Sequence, residues 1–167
     1  MGWAAPVLFV VDPVGRLHIN LLAIEGPEDR EAAAHAARDI IRALGGGIYV
    51  TVAEVWGKAV PLGGGLGPAE LADEMLGLAG RVHSEEGREE RILILGGSRT
   101  GEHLSTEFLI TRDAAGRGSL KRQSLTSGKL GVGAWTDLFE DIPTPEALRE
   151  RTAAMFAAAR AQAGGGL

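Results

Sequence analysis

Cysteine is absent from this chain. That one absence removes thiolate nucleophiles, disulfide frameworks, iron–sulfur clusters and cysteine-type zinc sites together. Long hydrophobic runs are missing as well: no stretch approaches the roughly 18 consecutive apolar residues that a spanning helix needs. The apolar opening from Met1 to Val11 has no basic residue before it and is cut short by Asp12-Pro13. It therefore reads as a buried strand and not as a secretory leader. Met1-Gly2 lacks the hydroxyl residue that a myristoylation signal carries at its sixth position, so the expected location is the cytoplasm with no membrane partner. Basic charge is also short. The formal net charge of -5 argues against a protein that coats nucleic acid with its whole surface, which requires a net basic face.

What is present is the composition of a packed domain. With 45% hydrophobic and 23% charged residues, 167 residues suffice for one core without a metal or disulfide. Arginine outnumbers lysine 14 to 3, and Asn20, Gln123 and Gln162 are the only side-chain amides, a bias consistent with a thermophile or a GC-rich genome. One domain is expected over residues 1–163, followed by a flexible glycine-rich tail at 164–167.

Val7–Val11 and Leu17–Ile24 flank an Asp12-Pro13-Val14-Gly15 turn and read as a hairpin, with Leu17, Ile19 and Leu21 on one face of the second strand. Gly26-Pro27 starts a helix with Glu28, Asp29 and Glu31 in its first turn. Ala33, Ala37, Ile40, Ile41 and Leu44 form its stripe, Arg38 and Arg42 balance its far end, and Gly45-Gly46-Gly47 stops it. Ile48–Lys58 is rich in β-branched and aromatic residues and reads as a central strand. A second helix is expected from Pro68, with Leu71, Met75, Leu78, Ala79 and Val82 as its stripe. Arg91–Leu95 and Leu104–Arg112 read as a strand pair around a Gly96–Gly101 loop, with Leu104, Phe108 and Ile110 facing the core and Ser105, Glu107 and Thr111 facing water. A strand at Ser119–Thr126 and a helix capped by Thr144-Pro145-Glu146, with Leu148, Thr152, Met155, Phe156 and Ala159 as its stripe, complete the order. The expected class is α+β: a mainly antiparallel sheet with helices packed on it, in the order ββαβ(α)βββα, in preference to a Rossmann-like alternation.

The glycine-rich segments match no phosphate loop, and Gly-x-Ser-x-Gly is absent, so no catalytic residue is assigned. His83 with Glu85 or Glu86 is the nearest approach to a metal cluster but has no ligand spacing. No metal site and no cofactor are expected. Glu54 lies in an apolar strand on the same face as Trp56, where a carboxylate needs a partner or a proton. Glu54, Trp56, Ser84, Arg88 and Glu90 are thus the candidate ligand-binding group, against the plainer alternative that Glu54 simply pairs with a neighbouring arginine. Arg112, Arg117, Lys121, Arg122 and Lys129 oppose Asp113 alone and form a candidate anion or nucleic-acid segment. They lack interleaved aromatics, and basic edge strands also guard against aggregation.

Tyr49 through Glu54-Val55-Trp56, then Ser84, Arg88 and Glu90, then Ile110-Thr111-Arg112, resemble a set of small uncharacterised bacterial and phage proteins, over about the middle half of the chain. The glycine-rich stretch around 62–82 departs from that pattern, and the resemblance implies a fold relationship and a shortlist of polar residues, with no activity attached. The leading functional expectation is a non-enzymatic accessory or interaction protein that self-associates, as a dimer, through its apolar strands. A small-ligand site or enzyme around Glu54 and polyanion binding through 112–129 are the alternatives.

Overall fold

The computed structural model describes residues 5–24, 26, 29–58, 65–78, 81–127 and 135–164. The elements run β1 (Val7–Val11), β2 (Leu17–Leu21), α1 (Asp29–Ala43), β3 (Ile48–Gly57), α2 (Pro68–Leu78), a short 3-10 turn at Val82–Ser84, β4 (Glu89–Ser98), β5 (His103–Arg112), β6 (Gly118–Ser127) and α3 (Pro145–Gly164). All six strands join one sheet in the order β2-β1-β3-β4-β5-β6, and every neighbouring pair is antiparallel. The expected α+β class, element order and interior position of β3 all hold. Lys129 and residues 165–167 of the expected tail lie outside the described residues, while Gly164 ends α3.

Alternation along the strands divides the sheet into two unlike faces. On one, Leu8 and Val10 of β1 and Tyr49 of β3 pack with Ala33, Ala37 and Ile41 of α1 and with Leu138 into the buried core. Trp135 and Phe139, from the segment ahead of α3, close that core from the side. The Tyr49 ring meets Phe139 edge-on at 5.2 Å, and its hydroxyl accepts from the Leu138 amide at 3.2 Å. α1 ends where glycine is required: Gly45 takes φ +62°, and a Cβ on Gly46 would stand 2.6 Å from Val10. α2 and α3 pack on each other, with Leu71, Ala72, Thr152 and Phe156 buried and Asp73 paired to Arg149. Met155, expected in the α3 stripe, is instead 42% exposed.

Two expectations need correction. Gly96 and Gly97 belong to β4 and not to the hairpin loop. Gly97 faces Tyr49 across the β3–β4 ladder, and any Cβ there would lie 2.6 Å from the phenol ring, so glycine serves packing and not a turn. The second correction concerns sidedness. Leu104, Phe108 and Ile110 do share a face, but it is the face opposite α1.

Candidate functional site

The face opposite α1 is built by register. Phe9 aligns with Ile19 and Val50, Val50 with Gly96, and Gly96 with Leu104. One row further on, Val52 aligns with Ile94, Ile94 with Thr106, and Thr106 with Leu125. The next row reads Glu54, Ile92, Phe108, Arg122. The surface is therefore mostly Val, Ile, Leu and Phe over six strands, with Thr106 and Arg122 among them, yet none of its described side chains is buried. Leu17, Ile19 and Leu21 of β2 are 58–74% exposed, and Leu120 and Leu125 of β6 are each 58% exposed. On the covered side, by contrast, β2 places His18 and Asn20, and β5 places His103, Ser105, Glu107 and Thr111, with Leu109 the apolar exception. Both ends of the sheet thus aim most of their apolar side chains away from the chain's own core, the reverse of the apolar-in, polar-out alternation of a sheet with one solvated face. By strand spacing and rise the footprint is about 800 Å².

One polar cluster interrupts this surface. Glu54 hydrogen-bonds Glu90, and Arg112 holds Glu90 bidentately, with its Nε donating to Oε2 at 2.8 Å. Burial, then the bond to Glu90, push the Glu54 carboxyl up. The Arg112 guanidinium holds Glu90 down. Arg88 stacks over Trp56 at 5.1 Å from the ring centre. Four of the five expected ligand-binding residues thus form two adjoining pairs, since Trp56 stands directly opposite Glu90. Ser84 does not join them: it is exposed, and its hydroxyl donates to the Arg81 carbonyl. Of the expected anion-binding residues, Arg112 is committed to Glu90 and Arg117 to Asp113, while Lys121 and Arg122 are exposed on β6 and lie on opposite faces of it.

The covered side has a cavity of about 140 Å³, and Arg30, Thr51, Glu54, Val55, Leu93 and Trp135 are among the residues that line it. Its lining is mainly apolar, with Arg30, Thr51 and Glu54 as the polar members, and strand alternation turns the Glu54 side chain to the opposite face from Thr51 and Val55. Among the described residues no three His, Asp or Glu side chains gather to hold a metal, and no helix is long and apolar enough to cross a membrane.

Several polar sites were not legible in the sequence. Arg38, only 2% exposed, donates to the carbonyls of Ala34, Asp137 and Glu140. His18 contacts Asp12 at 3.1 Å, and His103 contacts Asp137 at 3.5 Å. The side chain of His83 is outside the described residues. Helical spacing puts Arg38 on α1, but two of its three partners lie about a hundred residues away, where no local pattern reaches.

No protein-family model, no curated protein and no solved structure matches this chain.

Proposed function

We propose that this protein is a cytoplasmic accessory or interaction module that works as a homodimer, with the open face of its sheet as the contact surface. The observation that carries the reading is the reversed sidedness of β2, β5 and β6: their apolar side chains, Leu109 excepted, are on the open face, and the helix side is mostly polar. A footprint of about 800 Å² equals one partner's share of a standard stable interface. Burying it removes the exposed leucines and isoleucines from water at about 25 cal/mol per Å² of apolar surface. A second copy is the occupant favoured, because a two-fold contact matches the patch with itself, area for area, and stacks two sheets face to face about 10 Å apart. Polyanion binding through 112–129 has less support, since Arg112 and Arg117 already sit in ion pairs.

Leu120 and Leu125 test the reading without touching the core, because both are 58% exposed in the single chain. Leu120→Asp and Leu125→Asp should each leave the melting temperature of the isolated subunit intact and weaken self-association by tenfold or more, measured by light scattering on a sizing column. Unchanged association in both variants would remove the open face as the contact.

A further inference from the structure

The row Glu54, Ile92, Phe108, Arg122 crosses four strands in a straight line, with the two charges at its ends and the β4–β5 midline halfway between them. Among the described residues neither charge has an opposite one to itself: the side chain that Glu54 meets is Glu90, a second acid. Arg112, the cation that acts on Glu54, is taken up bidentately by Glu90, and Arg122 is in no ion pair among the described residues. On a face destined for burial, one acid and one base left over are costly unless each meets the other.

Resting on the homodimer reading above, we propose the register of that dimer: a two-fold axis running along the strands over the β4–β5 midline, so that Glu54 of each copy pairs with Arg122 of the other. Glu54 and Arg122 lie about 7 Å to either side of that midline, one and a half strand spacings. Turning a second copy by 180° about the axis therefore sets Glu54 above Arg122 and Arg122 above Glu54, and sets Ile92 above Phe108. The sheets stand about 10 Å apart, a gap that a glutamate and an arginine extended toward each other bridge. The same operation makes the apolar rows complementary. Leu104, 49% exposed, comes to lie over Gly96, where no side chain stands, and Leu125 comes over Val52. A large residue facing a glycine is the interdigitation that a close-packed two-sheet interface requires. The contact is then made by β3–β6 of each copy, with β1 and β2 outside it; an axis over the β3–β4 midline would span all six strands but places Glu54 over Ile92 and leaves Arg122 with no acidic residue opposite.

Charge reversal tests the register. Glu54→Arg and Arg122→Glu should each weaken dimerisation roughly tenfold by sedimentation equilibrium at pH 7.5, and the double variant should return to within about threefold of the unaltered chain. Arg122→Gln, whose side chain is exposed in the single chain, should shift the constant in the same direction as Arg122→Glu and by less. Singles that leave a wild-type dimer unaffected, or a double variant as weak as the two losses combined, would overturn this register while leaving the open-face dimer standing. An unaltered chain that stays monomeric would overturn both.

Discussion

Arg38 is a buried charge with no carboxylate against it. Its guanidinium satisfies three carbonyls, one from its own helix and two from the segment that leads into α3, and burial pushes its pKa below the ordinary arginine value. That arrangement ties α1 to residues 137–140 and holds Leu138 and Phe139 against Tyr49. Replacing Arg38 by Met keeps much of the volume and removes every guanidinium donor, so the part-buried Asp137 and Glu140 carbonyls lose this partner. The expected cost is about 2–4 kcal/mol, or roughly 5–15 °C in Tm for a domain of this size. A thermal melt checks it, and an unchanged Tm would show that the clamp contributes nothing. The sequence shows Arg38 only as a cation late in an amphipathic helix. Glu54 was more legible, because a carboxylate among valines and a tryptophan is conspicuous in a strand. Its partner Glu90 was on the shortlist, whereas the Arg112 that holds Glu90 was assigned to a different site, since strand register is not encoded locally.

At the scale of elements, the β1–β2 turn shows how a local motif carries a pH response. Asp12, 6% exposed, meets His18 through its side chain and accepts from the Arg16 backbone and side chain and from the Val14 amide. These bonds, the His18 contact foremost, hold its carboxyl far below the usual carboxylate range even though burial pushes the other way. A depressed native pKa contributes stability that is fully present above the unfolded value of about 3.9 and is lost as the pH falls below it. Melts of the unaltered chain should therefore drop more steeply between about pH 5 and pH 2.5 than melts of Asp12→Asn, whose side chain cannot ionise. Parallel curves would contradict the assignment. The turn itself was evident from Asp, Pro and Gly, as were α1, β3 and the start of α3. Gly96-Gly97 has the composition of a loop, so the sequence alone shortens the β4–β5 hairpin. Only the Tyr49 ring packed against Gly97 explains why glycine sits inside a strand.

The whole molecule shows what no single element does. Alternation in β2 and β5 correctly grouped Leu17, Ile19 and Leu21, and separately Leu104, Phe108 and Ile110, and an apolar group on a strand is properly read as a face to be buried. The sequence cannot say which body buries it. In the folded chain α1 covers the other face, and the sheet is left with a mostly apolar six-strand surface on which no described side chain is buried. Such a surface is a solubility liability in a monomer and an interface in an assembly. The most direct measurement is the mass of the unaltered chain by sedimentation equilibrium across the micromolar range. The account predicts twice the 17.4 kDa chain mass at the upper concentrations, with dissociation only on dilution. A 17.4 kDa species at every concentration would contradict it.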